Sequence, residues 1–192
     1  MKSLRLFAFS LGLTLGTQLF AATLNDVELP DQVTLLDSGP SLTLNGVALR
    51  QTYMIVDTYV GGLYLQTPAQ NEQVIFEAGE QRRMLFHVLL KKVTASKIAR
   101  ALKDALVVNL AKPDQQRLEP EINQFLAMFE GKLHKGDEVS IDYIPDLGTR
   151  VIIAGQSKGI IPGKEFADAL LAIWIGKNPV EDSFKQHVLG LN

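Results

Sequence analysis

The sequence predicts an α+β domain, a large antiparallel sheet with helices packed on one face. Three observations lead there. Short segments of strand-like alternation crowd the first half of the chain, the apolar period lengthens to that of a helix after Thr94, and a hairpin pattern followed by further helical segments closes the chain. The 192 residues are 46% hydrophobic and 21% charged, which suits one domain with its own core. The formal net charge of −2 offers no electrostatic case for nucleic acid or an anionic membrane surface. No cysteine is present, so disulfides, thiolate chemistry and cysteine metal sites are excluded.

The first 22 residues differ from the rest. Lys2 and Arg5 precede the apolar run "LFAFSLGLTLG", which is too short to span a bilayer, and "LFAA" ends in small residues. This is the pattern of a secretory signal peptide over residues 1–22, cleaved after Ala21 or Ala22. Its removal takes away two basic residues and no acid, leaving 17 basic and 21 acidic residues in a domain spanning 23–192. The expected location is the periplasm or the medium, with no transmembrane segment after cleavage.

Along residues 23–192, "QVTLL" (32–36) and "SLTLNG" (41–46) read as strands, with Asn45-Gly46 as a hairpin signal and residues 23–31 as a polar lead-in. Residues 47–66 read as one long strand or two broken at Gly61-Gly62, where a bulge or close backbone approach is expected. "TPAQNEQ" (67–73) reads as loop. "RRMLFHVLL" (82–90) places Met84, Phe86, Val88 and Leu90 on one strand face. From Thr94, a candidate N-cap, Ile98, Ala101, Leu102, Ala105, Leu106 and Leu110 recur at helical spacing. "AKPDQQR" (111–117) ends that helix, and Ile122, Phe125, Leu126 and Phe129 mark another. "DEVSIDYI" and "TRVIIAG" flank the turn "PDLG". A helix follows from about Lys164 to Ile175, ended by Gly176, and Asn178-Pro179 reads as the start of the last one.

Few residues point to chemistry. There is no phosphate-binding loop and no nucleophile elbow. His87, His134 and His187 lack metal-ligand spacing, so no metal and no cofactor is read. Asp142 and Asp146 read as turn residues, and Trp174 and Phe166 as core. The exception is "NGVALRQTYMIVDTYVGGLYLQ" (45–66), a strand-like stretch carrying Arg50 and Tyr59. A buried guanidinium needs an anionic or hydrogen-bonding partner, and a phenol on the same face could share it. Nine residues apart, the two fall on opposite faces of a regular strand, and a bulge would restore a common face. The alternative is an Arg50 at a sheet edge, reaching water or pairing with an acid such as Asp57.

The order and spacing of four segments resemble the chalcone isomerase-like family, its secreted bacterial members in particular. They are "LNGVALRQTYMIVDTYVGGLYLQ", "FHVLLKKVTASKIARALKDAL", the hairpin and helix from "KGDEVSIDYI" to "LLAIWIGKNPV", and "EDSFKQHVLG". The resemblance implies an open-faced β-sandwich with a ligand cleft between sheet and helices. It also implies one of two functions, cyclisation of chalcones or non-catalytic binding of fatty acids. Arg50 matches the arginine of both kinds, and Tyr59 the tyrosine of the fatty-acid binders, where the enzyme has threonine. The enzyme's helix tyrosine, lysine and asparagine align with Thr94, Lys97 and Ala101, so only the lysine is kept, and its later threonine or serine falls near Val151. The expected ligand is a small amphipathic anion such as a fatty acid, with Arg50, Tyr59, Lys97 and Thr94 as candidate binding residues and Phe86, Ile98 and Leu102 as candidate walls. An intramolecular lyase acting on a phenolic ketone and a structural or interaction domain without ligand are the alternatives.

Overall fold

The computed structural model describes residues 21–53 and 55–191. The expected signal peptide lies outside the described residues except for Ala21 and Ala22. These two begin strand β1 (Ala21–Leu24), which pairs with β2 (Val27–Pro30). The lead-in expected over 23–31 is therefore a hairpin. Its turn is Asn25-Asp26, with φ of 52° and 62°, the left-handed pair that a two-residue primed turn requires.

The main sheet has seven antiparallel strands. In chain order they are β3 (Gln32–Thr34), β4 (Ser41–Thr52), β5 (Val56–Leu65), β6 (Arg82–Val88), β9 (Glu138–Ile144), β10 (Gly148–Ile153) and β11 (Gln156–Ile161), and the spatial order is β11-β10-β9-β6-β5-β4-β3. A two-stranded ribbon, β7 (Lys92–Thr94) and β8 (Lys132–His134), stands beside it. The helices are α1 (Glu72–Ala78), α2 (Ala95–Asn109), α3 (Lys112–Arg117), α4 (Glu119–Ala127), α5 (Lys164–Ile175) and α6 (Asp182–Val188). The expected α+β architecture is the one observed. Among the described residues no helix is long and apolar enough to cross a membrane.

Strand alternation sorts the apolar residues between two cores. Met84, Phe86 and Val88 face the helices and join Phe125, Phe166, Leu170 and Phe184. On the other face Leu29 of the β1–β2 hairpin packs with Leu42, Val60, Tyr64 and Leu85. That second face also holds a charged row across three strands. Asp142, fully buried, lies opposite Arg83 on one side and Arg150 on the other. Arg83 donates Nε and Nη2 to its two oxygens at 2.6 and 2.9 Å, and Arg150 donates Nη2 at 2.7 Å. Asp142 is thus an interior ion-pair acid and not a turn residue. The shared, bidentate geometry is what makes a buried carboxylate tolerable.

Several expected boundaries move, each for a local reason. Asn45-Gly46 closes no hairpin and sits inside β4, where the pairing register slips between Leu44 and Gly46. The Asn45 side chain accepts from Ala69 N–H at 2.8 Å and donates to the carbonyls of Ala69 and Val188 at 3.0 and 2.9 Å, so it staples the strand to α6. The chain reverses instead at Thr52–Ile55, making 45–66 two paired strands. Gly61-Gly62 does not break β5. A Cβ on Gly61 would lie 2.5 Å from the Phe184 ring, which is the close approach the glycines permit. Residues 72–73 belong to α1, whose N-cap Asn71 accepts from Gln73 and Val74 N–H. "KPDQQR" forms α3 and not a loop. The last helix begins at Asp182, because Asn178 is engaged with Asn109 and Val108.

Gly46 lies directly beneath the end of α6, where an added Cβ would overlap the His187 carbonyl and sit 2.7 Å from that of Val188. Gly46→Ala should lower stability in urea unfolding by about 1–3 kcal/mol, because backbone must move to relieve the overlap. An unchanged midpoint would contradict this account of how α6 is seated.

Candidate functional site

An amphipathic helix ordinarily buries its apolar stripe. Helix α2 has the stripe, but only Ala95 and Leu106 of its fifteen residues are buried. Ile98, Leu102 and Ala105 are half-covered because they face a hollow between helix and sheet. The cavity measures about 260 Å³. Its floor comes from Phe86 and Val88 of β6 and Val139 and Ile141 of β9, and its side walls include Ile173 and Trp174 of α5. Val93 and Leu133 of the β7–β8 ribbon and Phe129 after α4 also line it. Polar atoms gather at the end formed by Arg50, Thr52, Thr58, Tyr59 and Lys97.

Arg50 and Tyr59 meet because they are cross-strand partners in β4 and β5. In an unbroken hairpin the partner of Arg50 would be Thr58. The register slips between Arg50 and Gln51, Thr58 is the extra residue, and Tyr59 takes the place opposite Arg50 on the cavity face. The bulge that restores a common face to the two residues is present, within a hairpin turn not expected from the sequence. The same alternation puts Asp57 opposite Gln51 on the other face, where it accepts from Gln51 Nε2 at 2.7 Å and Asn25 Nδ2 at 3.3 Å. Asp57 is therefore not the partner of Arg50.

That partner is Glu181, the N-cap residue of α6. Arg50 Nη1 donates to its Oε2 at 2.7 Å and also to the Gln51 carbonyl. Ser183 Oγ donates to the other glutamate oxygen at 2.6 Å. Nε and Nη2 of Arg50 make no bond to another described residue, so two of its donor groups remain. The guanidinium keeps 23% of its side-chain surface exposed, at the mouth of the hollow.

Tyr59 is held from the other side. Trp174 Nε1 donates to its hydroxyl at 3.0 Å, while Phe86 and Phe184 pack edge-to-face against its ring at 5.1 and 5.8 Å. The phenol proton has no acceptor among the described residues, so Tyr59 can donate into the cavity. Burial pushes its pKa up to about 12, with the Trp174 hydrogen bond and the nearby Arg50 charge opposing the rise.

The remaining candidates separate. Lys97 stands exposed at the rim of the cavity. Thr94 is not among the lining residues, and its hydroxyl shares a 3.2 Å hydrogen bond with Ser96. Phe86, Ile98 and Leu102 do wall the hollow, as does Ala101. Val151 is fully buried in the core. Sequence reasoning missed two participants. Trp174 was visible only as a core residue at helical spacing. Glu181 is 131 residues from Arg50, and no local pattern pairs them.

A family model described as chalcone isomerase-like matches residues 21–190. Among solved structures, a fatty-acid binding protein of Arabidopsis thaliana superposes with a TM-score of 0.74 at 16% sequence identity, covering 88% of this chain and 96% of that one. At that identity the likeness establishes the fold. No curated protein matches the sequence.

Below pH 10 the neutral Tyr59 phenol is common to folded and unfolded chains. Between pH 10 and 12 the unfolded tyrosine ionises first, so stability falls as pH rises through that window. Between pH 9 and 12 the wild type should lose about 2–3 kcal/mol more than Tyr59→Phe in denaturant unfolding. Parallel losses would show that Tyr59 is not buried as described.

Proposed function

We propose that this chain, which belongs to the chalcone isomerase-like family, is a non-catalytic binding protein for a small amphipathic anion, with a fatty acid as the ligand class. One observation carries the reading: an apolar cavity of about 260 Å³ has an arginine with unused donors and a phenol with an unused proton at one end of it. A carboxylate accepts at two oxygens, and the pair supplies charge-assisted and neutral donors to it. The hydrocarbon then lies against Phe86, Ile98, Leu102 and Trp174, where release of water drives binding.

The hollow has room for a hydrocarbon chain, with the head group at the mouth. Support also comes from the fatty-acid binding protein that shares the fold. Cyclisation of a phenolic ketone needs several donors around a developing enolate. The cavity wall of α2 offers Ala101 where the enzyme resemblance aligns asparagine, which favours binding over catalysis. The cellular setting in this reading is the periplasm, argued from Lys2, Arg5 and the short apolar run that follows them.

Decanoate binding by native mass spectrometry and calorimetry tests the proposal. Arg50→Ala should weaken binding by about 2–4 kcal/mol, the range for losing one partner of a desolvated charge pair. Tyr59→Phe should weaken it by about 1 kcal/mol, the net worth of one hydrogen bond. Equal retention by wild type and Arg50→Ala would overturn the assignment.

A further inference from the structure

The end of the sheet that carries the cavity mouth also carries an unusual surface. At the tip of the β4–β5 hairpin, Tyr53 and Ile55 are 86% and 81% exposed, and Val56 beside them is 42% exposed. Large apolar side chains at a hairpin tip gain nothing from folding. Tyr53 holds a φ of 55°, a left-handed conformation that is unfavourable for a bulky residue. Ile55 N–H closes the turn on the Thr52 carbonyl. The tip is continuous with the site, since Thr52 and Thr58 both line the cavity.

A second element lies at the same end. Strand β6 finishes opposite Tyr59, and Leu89 N–H bonds to the Thr58 carbonyl, so residues 89–92 leave the sheet beside the hairpin. They lead into the β7–β8 ribbon, whose two faces differ completely. Val93 and Leu133 point inward and line the cavity, while Lys92, Lys132 and His134 are exposed on the outer face. Lys91 and Lys135, just outside the two strands, are exposed as well, and the exposed Lys97 is part of the cavity lining. Three nearby acids have partners, while Asp26 beside Asn25 and Glu130 just before β8 are exposed. Asp137 accepts from the His134 N–H at 2.8 Å, Glu138 lies 3.5 Å from His87 Nδ1, and Asp57 is bonded to Gln51. The ribbon, its flanks and the start of α2 thus carry five exposed lysines in a protein of formal charge −2, beside the cavity-lining Val93 and Leu133.

We propose that the β4–β5 tip and the outer face of the β7–β8 ribbon form one docking surface for an anionic phospholipid bilayer, which sets the cavity mouth against the membrane. The lysines match the charge of the lipid head groups, and Tyr53 and Ile55 enter the interfacial layer that favours aromatic and aliphatic side chains. The docking stands on this surface alone. Only its use, delivery or removal of a lipid-derived anion, rests on the binding function proposed above.

Cosedimentation with vesicles of phosphatidylcholine, or of equal parts phosphatidylcholine and phosphatidylglycerol, tests it. The wild type should pellet with the anionic vesicles, not with neutral ones, and should be released by high salt. Ile55→Asp and the double variant Lys91→Glu/Lys92→Glu should each weaken that binding about tenfold or more. Lys158→Glu, on the far edge strand β11, should not. Urea midpoints would confirm that all variants fold, and decanoate binding in solution should be unchanged in each. Three results would overturn the docking: absence of binding to anionic vesicles, an equal effect of Lys158→Glu, or an Ile55→Asp variant that dissociates a dimer on size exclusion while vesicle binding persists. Vesicle binding by a wild type that takes up no decanoate would leave the docking intact and remove the carrier reading.

Discussion

The cross-strand pairing of Arg50 with Tyr59 is the constraint on which the site depends. One extra residue, Thr58, fixes it. Without that bulge the tyrosine would turn to the other face and stack beneath the β1–β2 hairpin, and the cavity end would hold a cation without its phenol. The pairing is anchored from both sides by the last two helices. Glu181 at the start of α6 takes one guanidinium nitrogen, and Trp174 near the end of α5 donates to the phenol. Neither contact uses up the donors that face the hollow. Each side chain is thus held in place while keeping capacity for a third party, which is the arrangement that preorganised recognition requires.

The hollow exists because α2 is kept away from the sheet. A helix with this apolar stripe would collapse onto Phe86 and Val139 if nothing intervened, since each apolar group left half-covered forgoes transfer free energy. The β7–β8 ribbon stands at its start, and Trp174 and Tyr59 pack against Phe86, with Phe184 against Tyr59. The core under α4 and α5 closes around Phe125 and Phe166, and the outer face of the sheet is sealed by Leu29 and by the Arg83–Asp142–Arg150 row.

Much of this was legible from the residues. The strand face of Met84, Phe86 and Val88, the stripe of α2 and the close approach at Gly61-Gly62 follow from period and from side-chain size. They emerge correctly because local pattern and tertiary packing agree there. The failures occur where a side chain makes a distant bond that overrides local preference. Asn45-Gly46 reads as a turn, yet Asn45 is committed to Ala69 and Val188. Asn178 reads as a cap, yet it bonds to the end of α2. Asp142 reads as turn chemistry, yet its row of partners comes from two other strands. Glu181 is the instructive case for the site: an acid at a helix start carries no sign that a guanidinium will reach it.

The central claim is that a carboxylate is bound as an ion by Arg50 at the mouth of an apolar cavity. The two environments act on its acidity in opposite directions: an apolar hollow raises the pKa of a carboxylic acid, and an adjacent guanidinium lowers it. A carbon-13 NMR titration of decanoate labelled at the carboxyl carbon reads that balance directly on the protein-bound resonance. The account predicts a bound signal that stays at the ionised position below the titration midpoint of the free acid. A bound signal that titrates above that midpoint would place a neutral acid in the hollow, away from the cation, and would contradict it.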